Sequence, residues 1–532
     1  MADQVGAFRA YARKLLSAES RRHENFPTGP TPLALVYPNS YATGMSSLGF
    51  QTVYRLFNEQ PLLKSERAFQ LEGPFAALCH TLESQRPLNQ FRVVAFSVAY
   101  EMDYPAVVAL LKRAGIPTLA RQRSERDPLV VMGGVATFYN PTVLAPVADL
   151  FLIGEAEEMI PDFARCHAEH LETGGSRDDL LARLAQIEGA WVPAVHGLVP
   201  PPRTIRRRYL LLQDHPPATS VVVTPHMHLE MFMVEVGRGC GRGCRFCAAG
   251  HLYHPFRTWP VEAVLSEVER HARPGDRIGL VGAALSDYRP LEQLCTALLQ
   301  RGHPVSLSSL RADRISASLL TALDASDIRS VTLAPEAGSE RLRTVIRKDL
   351  REEAILDAAA RIGESPIRQI KLYFMIGLPS EQPEDLEALV TLTRQVAHRF
   401  CRKGSRREVR VSINTFVPKP WTPFQWAPMA TEKEIKQKRN SLLTALNRIE
   451  GVQAGRKSAR EELLQALFAL GSSETGEALV EAIERGEDWR GISPRFATWI
   501  HRDKSFEEPL PWDFIDNGLD KAQLWRSWQA AQ

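Results

Sequence analysis

The sequence has no long apolar run, no long low-complexity tract and no repeat at the period of a solenoid protein. No stretch reaches the roughly 18 apolar residues that span a bilayer. Its first 22 residues lack the apolar core and the cleavage site of a secretory signal. These absences predict a cytoplasmic protein, whose cysteines are expected to be thiols or metal ligands rather than disulfides.

An excess of one charge is also missing, because 65 Lys and Arg residues face 62 Asp and Glu residues, for a net charge of +3. Any basic surface must therefore be local. The two basic segments are Arg206–Arg208 and residues 402–410. For both, a solvated surface is favoured over phosphate or RNA binding. We do not expect nucleic acid as a partner, although RNA stays open as a substrate.

The first half of the chain alternates apolar runs with amphipathic ones, as in a parallel sheet covered by helices on both faces. The strand-like runs are 33–38, 92–100, 128–134 and 148–158. They predict an α/β, doubly wound, Rossmann-like domain over residues 29–175, after a helical extension over residues 1–28. Such sheets bind ligands at the carboxyl ends of their strands. Those ends read PNSYATG, SVAYEMD, GGVATF and GEAEE.

A second alternation follows a connector at residues 176–228. Six strand-like runs with helices between them predict a partial (β/α)6 barrel over residues 229–430, with its site on the loops after the strands. Residues 431–532 are predicted to form a mainly helical C-terminal region. That region ends in a tryptophan-rich tail and contains no motif of its own.

The sharpest motif is GRGCGRGCRFC at residues 237–247, directly after the first barrel strand. A zinc site normally has four ligands, and His251 or His254 is near enough to complete one, but this spacing is unusual for zinc. Three thiolates can instead bind three irons of a four-iron cluster and leave the fourth iron open. The glycines allow a tight wrap around an anionic cluster. The other cysteines, expected to be packed thiols, are Cys79, Cys166, Cys295 and Cys401.

This motif, after the first strand of a six-strand barrel, resembles that of the radical S-adenosylmethionine (SAM) enzymes. The resemblance implies a [4Fe–4S] cluster bound by Cys240, Cys244 and Cys247, with SAM on the open iron. It also implies an electron donor of the flavodoxin or ferredoxin type. One electron then cleaves SAM to methionine and a 5′-deoxyadenosyl radical, which abstracts hydrogen from the substrate.

Later strand ends resemble the SAM-binding motifs of that family. The second strand keeps one glycine of a glycine–glycine–glutamate motif, and Asp287 follows it late. The implied SAM contacts are Phe246, Gly282, Ser308, Arg311, Glu336 and Ile376. Ile376 and Phe246 are expected to pack on the adenine, and Glu336 to be an acidic group near the cofactor. Tyr253, His254 and Arg257 either line the substrate cavity or pack.

A doubly wound domain ahead of this barrel resembles the cobalamin-binding subclass. Its first loop often reads Asp-x-His-x-x-Gly, with the histidine on cobalt; here Asn39, Tyr41 and Gly44 take those positions. A phenol that stays protonated is a poor cobalt ligand. The resemblance therefore implies cobalamin without a lower ligand. The implied contacts are Tyr41, Gly44, Ser97, Tyr100, Glu101, Gly133, Gly134, Gly154 and Glu155.

The resemblance implies cobalamin-dependent methyl transfer to an unactivated carbon or to phosphorus. One alternative is a radical SAM enzyme without methyl transfer, which cyclises, rearranges or forms a C–C or C–S bond in a lipid, RNA or small molecule. In that alternative the first domain keeps the Rossmann-like fold but has lost cobalamin. Another is a non-catalytic iron–sulfur or zinc protein. A methylthiotransferase needs a second cluster, and the first domain has only Cys79 and Cys166. The sequence does not identify the substrate.

Overall fold

The computed structural model describes residues 2–23, 29–198, 203–308, 310–401, 406–455 and 458–532. Part of the basic segment 402–410 and part of the connector therefore lie outside the described residues. Over the residues that are described, no helix is both long enough and apolar enough to cross a membrane.

The first region contains nine strands and eight α-helices in its described residues. The strands are β1 (Ser20–Arg21), β2 (Thr31–Tyr37), β3 (Leu63–Phe69), β4 (Val93–Ser97), β5 (Leu129–Gly133), β6 (Leu150–Leu152), β7 (Ala190–Trp191), β8 (Ile205–Arg206) and β9 (Val222–Val223). The helices are α1 (Ala2–Ser17), α2 (Tyr41–Met45), α3 (Leu48–Glu59), α4 (Tyr104–Arg113), α5 (Val135–Tyr139), α6 (Ala156–Thr173), α7 (Arg177–Leu184) and α8 (Pro193–His196).

Six of these strands form one sheet in the order β3-β2-β4-β5-β6-β7. All neighbours are parallel except the last pair, in which β7 runs antiparallel to β6. This confirms the predicted doubly wound α/β fold. The sheet extends to Trp191, beyond the predicted boundary at residue 175, because β7 follows helix α7 back to the sheet edge.

Strand β3 was not predicted, because LKSERAF is rich in charge. Arg67 is nevertheless buried, with Nη1 2.8 Å from Glu19 Oε1 and Nε 2.7 Å from Glu83 Oε1. Burial of a charge is tolerated when the charge is paired and hydrogen-bonded. The pairing to Glu19 also fixes the segment after α1 on the edge of the sheet.

The second region contains nine strands and eight helices in its described residues. The strands are β10 (Phe232–Glu235), β11 (Gly237–Arg238), β12 (Arg257–Thr258), β13 (Ile278–Val281), β14 (Val305–Leu307), β15 (Ser330–Glu336), β16 (Gln369–Ile376), β17 (Glu408–Thr415) and β18 (Val452–Ala454). The helices are α9 (Ala249–Leu252), α10 (Val261–His271), α11 (Leu291–Gln300), α12 (Ala317–Ala325), α13 (Glu340–Val345), α14 (Glu352–Glu364), α15 (Pro383–Phe400) and α16 (Glu432–Leu446).

The barrel consists of two parallel sheets, β10-β13-β14 and β15-β16-β17-β18. A parallel bridge between Leu310 and Leu333 joins them. Six of these strands are the predicted ones. The seventh, β18, pairs with β17 beyond the predicted boundary at residue 430. The barrel fold is therefore confirmed, with one strand more than expected.

Alternate residues of β16 and β17 face opposite sides of the sheet. Ile370, Leu372, Phe374 and Ile376 are fully buried in the core that includes α14, α15 and α16. The intervening side chains point away from the helices into the barrel. This concave face carries Lys371, Tyr373, Met375, Arg410, Ser412 and Asn414.

The C-terminal region is helical, as predicted, and it packs against the first domain. Its elements are α17 (Ala459–Leu470), α18 (Ser473–Arg485), α19 (Ala497–His501), β19 (Ile515–Asp516) and α20 (Lys521–Gln529). Strand β19 pairs with β8 of the connector. Asn140 donates hydrogen bonds to the carbonyls of Ala469 and Gly471, at 3.0 and 2.8 Å. Helices α17 and α18 thus pack against α4 and against the loops at residues 101–103 and 142–144, on one side of the first domain.

Lys504 in this tail predicts a measurable pH dependence of stability. Its side chain is 3% exposed, and burial lowers its pKa to about 8. Below pH 8 the Lys504 side chain is protonated in both states, so the folded state holds a buried charge. Between pH 8 and the unfolded pKa near 10.4 only the unfolded chain stays protonated, so the free energy of unfolding rises with pH. We expect Lys504→Met to stabilise by about 3 kcal/mol at pH 7. In urea unfolding at pH 7, 9 and 10.5 the gain should shrink; a pH-independent gain contradicts this account.

Candidate functional site

The cysteine loop lies at the carboxyl end of the first barrel strand, between β11 and α9. The antiparallel pair of β11 and β12 holds its base, with Gly237 opposite Thr258 and Arg238 opposite Arg257. Gly239 has φ of +83°, and a Cβ there would lie 2.3 Å from the Tyr253 carbonyl oxygen. Only glycine fits this close approach. The glycines flanking the cysteines therefore shape the loop.

Cys240, Cys244 and Cys247 are partly buried thiols in this loop. Burial raises the pKa of Cys244 to about 11, and it raises the pKa of Cys247 although the amides of Ala249 and Gly250 donate to that sulfur. Thiolates in this environment require a compensating cation, which iron would supply. Among the described residues, no three Cys, His, Asp or Glu side chains are close enough to surround a single metal ion. A four-iron cluster does not need three ligands around one ion, because each of the three cysteines binds a different iron.

Glu336 and Lys348 form an ion pair beside the cysteines. Lys348 Nζ lies 3.2 Å from Glu336 Oε1, and both residues act electrostatically on Cys244. Glu336 has φ of +68° and follows a register shift in β15. A non-glycine residue in this conformation is strained, and such strain is concentrated at functional sites. Burial raises the pKa of Glu336, and Lys348 opposes that shift. The structure therefore brings this predicted residue to the cysteine loop.

Arg242 joins the cysteine loop to the end of the second barrel strand, and Arg311 joins the ends of the second and third strands to each other. Arg242 forms a bidentate pair with Asp287, at 2.8 and 3.0 Å from its Nε. The backbone amide of Arg311 donates to Ser286 Oγ, and the Arg311 guanidinium pairs with Asp313 at 2.9 Å. The carboxylate of Asp287 is therefore paired with Arg242, and the guanidinium of Arg311 is paired with Asp313.

The four remaining predicted SAM contacts lie in different environments, from fully buried to exposed. Gly282 packs at the end of β13, where a Cβ would lie 3.3 Å from Val236, and Ser308 is exposed after β14. Phe246 is partly buried against the core that includes Phe424. Ile376 is fully buried on the helix side, so Met375 is the residue of this strand end on the concave face. The side-chain alternation along QIKLYFMI, the sequence of β16, could have shown that Met375 rather than Ile376 faces the barrel.

Four of the predicted cobalamin positions meet at one cavity. Ser97, Gly133, Gly134 and Gly154 line a narrow cavity of about 50 Å³ under the carboxyl ends of β2, β4, β5 and β6. The rest of its wall is apolar, including Leu35 and Met159. The predicted strand ends therefore converge as the parallel topology requires.

Other predicted cobalamin positions make protein contacts. The Tyr41 hydroxyl donates to Glu19 at 2.7 Å, toward the N-terminal extension, and burial raises its pKa. A Cβ on Gly44 would lie 2.5 Å from the ring of Phe69. Tyr100 is 44% exposed. Tyr41 thus stays protonated and is held away from the strand-end cavity.

Glu101 connects three regions of the chain. It accepts hydrogen bonds from Tyr139 at 2.5 Å, from Gln465 at 3.0 Å and from Lys419 after the last predicted barrel strand. Although burial raises the pKa of Glu101, Lys419 brings it below its usual value. This predicted cofactor residue therefore ties the first domain to the barrel and the tail.

Glu155 connects the first domain to the cysteine loop. Its carboxylate lies 2.9 Å from Arg238, 2.6 Å from Arg257 and 3.7 Å from Arg207. Arg238, two residues before Cys240, also pairs with Glu157 at 2.5 Å. Residues that sequence reasoning missed at the site are Glu157, Glu235, Lys348, Met375 and Lys419. The partners of Glu157 and Lys419 lie 81 and 318 residues away along the chain, too far for a local pattern to reveal them.

Two family descriptions match this chain. Residues 49–193 match "Radical SAM proteins, N-terminal", and residues 234–393 match the "Radical SAM superfamily". An uncharacterized protein of Methanocaldococcus jannaschii is 28% identical over 446 residues, 82% of this chain and 88% of the relative. A tRNA-2-methylthio-N(6)-dimethylallyladenosine synthase of Sorangium cellulosum is 28% identical over 221 residues, 36% of this chain and 44% of that enzyme.

Among solved structures, the cobalamin-dependent S-adenosylmethionine radical enzyme OxsB with aqua-cobalamin bound aligns with a TM-score of 0.48 at 14% identity. The alignment covers 68% of this chain and 52% of that one. The chain thus spans about half of that enzyme and less than half of the synthase. The two family matches together cover more than half of the chain, and the second one includes the cysteine loop. The chain belongs to the radical SAM superfamily, whose members bind a [4Fe–4S] cluster and SAM.

Proposed function

We propose that the protein is a cobalamin-dependent radical SAM methyltransferase that acts on an unactivated centre. The observation that carries the proposal is the strand-end cavity lined by Ser97, Gly133, Gly134 and Gly154. The glycine backbone on one side and the apolar side chains on the other match the flat, largely apolar base of the cobalamin tail, and the cavity must widen to admit it.

Direct contacts connect the residues after this cavity to the residues around the cysteine loop, which supports the binding of two cofactors at one active site. Phe138, four residues after Gly134, contacts Tyr253 edge-to-face with ring centroids 5.8 Å apart. Glu155, directly after Gly154, binds Arg238 at 2.9 Å. These contacts hold the carboxyl edge of the first sheet against the barrel mouth.

The residues of the chain bind and position, while the bound groups supply the reactivity. When bound, cobalamin carries the methyl group, and the cluster with SAM supplies the 5′-deoxyadenosyl radical that abstracts hydrogen. Cys240, Cys244 and Cys247 would hold three irons of the cluster. The Glu336–Lys348 pair presents a carboxylate and an ammonium beside them. Because the Tyr41 hydroxyl donates to Glu19, it would not be available to bind cobalamin held in the cavity.

Filling the cavity tests the cobalamin assignment. We expect the wild-type protein to retain hydroxocobalamin through desalting, seen in its visible spectrum once the iron is removed. Ser97→Phe should release it, because the ring occupies the space for the tail. The matched control is Thr321→Phe on the exposed side of α12, which should retain cobalamin like the wild type.

Two outcomes separate this proposal from the alternative. A wild-type protein that stays colourless but forms 5′-deoxyadenosine is a radical SAM enzyme whose first domain has lost cobalamin. Retention by Ser97→Phe equal to that of the wild type contradicts the assignment of the cavity. The iron content of each variant verifies that the barrel is folded.

A further inference from the structure

A second cavity lies on the concave face of the barrel, beside the amino-terminal halves of β16 and β17. It has a volume of about 520 Å³ and is lined by side chains of the concave face, namely Lys371, Tyr373, Arg410, Ser412 and Gln453. Small-molecule sites commonly occupy about 300–1,000 Å³. The size of this cavity therefore fits a whole small ligand.

The register of the strands sets two cations side by side in this cavity. Lys371 is the direct neighbour of Arg410, and Arg410 of Gln453, across β16, β17 and β18. Neighbouring strands are about 4.8 Å apart. Like charges in adjacent positions repel and destabilise the sheet. A bound anion would relieve this repulsion.

The carboxylate of Glu408 offsets this charge only in part. Glu408 lies 2.9 Å from Arg410 Nε and also accepts a hydrogen bond from Gln369. The Arg410 side chain is 56% exposed. This carboxylate is shared between Arg410 and an amide, and it does not neutralise the charge of Lys371. Among the described residues lining the cavity, the net charge is positive.

Tyr373 adds a flat, accessible ring to the same wall. It is 39% exposed, whereas Leu372 and Phe374 on either side of it are fully buried. Its register partner is Ser412, a hydroxyl donor one step above the cations. Arginine and lysine bind phosphate oxygens, and an exposed aromatic ring stacks on a planar group. The wall therefore presents two cations, a hydroxyl and an aromatic ring at positions two residues apart along β16 and β17.

We propose that this wall binds the phosphate of a small, ring-bearing phosphorylated molecule, which is the substrate of the radical. Met375 lies four positions beyond Lys371, or about 13 Å along the strand. A ligand held by its phosphate at Lys371 and Arg410 extends past Tyr373 toward the strand ends, where the cysteine loop lies. The role of the ligand as substrate rests on the proposed function, whereas its binding does not.

Phenyl phosphate, which combines a ring and a phosphate, is the probe for this site. In calorimetric titration of the reconstituted enzyme at low salt, we expect it to bind the wild type. Lys371→Gln with Arg410→Gln should weaken binding about a hundredfold, because each lost charge-assisted contact costs about tenfold. The matched control removes two exposed charges from the outer helices, Arg394→Gln with Lys433→Gln, and should bind like the wild type.

Each remaining outcome decides the proposal. No binding to the wild type, or equal binding to both double variants, overturns it. Tighter binding of benzoate than of phenyl phosphate overturns the phosphate assignment. Tighter binding of single-stranded RNA, lost in Lys371→Gln with Arg410→Gln, overturns the small-molecule assignment. Specific phenyl phosphate binding by a protein that forms no 5′-deoxyadenosine keeps the site and rejects the radical function.

Discussion

Replacing Cys244 with alanine is expected to lower both the iron content and the formation of 5′-deoxyadenosine. The sulfur of Cys244 is one of three in a loop that offers no spare cysteine, since the other four are isolated along the chain. Loss of even an outer-shell partner of a metal ligand costs about 10- to 100-fold. Loss of a ligand should therefore reduce the product by at least about a hundredfold.

Cys166→Ala is the matched control for this substitution. Cys166 is also a partly buried free thiol, and it lies on α6 of the first domain. Iron and acid-labile sulfide analysis after anaerobic reconstitution should give wild-type values for Cys166→Ala and reduced values for Cys244→Ala. Equal iron content in the two variants contradicts the assignment of the cysteine loop as the cluster site.

Replacing Glu155 with alanine is expected to destabilise the protein by about 3–5 kcal/mol, because it leaves buried charges without their partner. The Glu155 side chain is 2% exposed and lies within 4 Å of Arg207, Arg238 and Arg257. Water cannot replace the carboxylate at such a depth. We also expect the cluster loop to lose order, since Arg238 lies two residues before Cys240.

Glu158→Ala is the control, because Glu158 lies three residues further along and makes more exposed pairs. Its side chain is 37% exposed and pairs with Arg208 at 3.1 Å. Exposed ion pairs contribute at most about 1 kcal/mol. Urea unfolding of both variants measures the difference. A loss of stability for Glu155→Ala no larger than for Glu158→Ala contradicts the role of Glu155 in joining the domains.

Apolar strands and the cysteine spacing were predictable from the sequence because each is a local pattern. Runs such as 33–38 and 128–134 are buried on both faces and read as continuous apolar stretches. Strand β3 was missed because its charges are paired to Glu19 and Glu83, and only the folded chain shows that pairing. Strand β18 was missed because three residues are too few to form a pattern.

The site was predictable to the level of strand ends but not of individual contacts. Glu155 was expected at cobalamin and instead binds arginines 83 and 102 residues away. Glycines at 133, 134 and 154 do line the strand-end cavity. A Cβ on Gly154 would also lie 2.5 Å from the Arg208 carbonyl oxygen, so that glycine is needed for the connector as well. A close backbone approach requires glycine whether its neighbour is a cofactor or the chain itself.

The most direct test of the account is the amount of 5′-deoxyadenosine that the anaerobically reconstituted protein forms from SAM with a strong one-electron reductant. The account predicts that 5′-deoxyadenosine and methionine appear together, and only when cluster, SAM and reductant are all present. A protein that contains a full cluster and forms neither product under these conditions contradicts it.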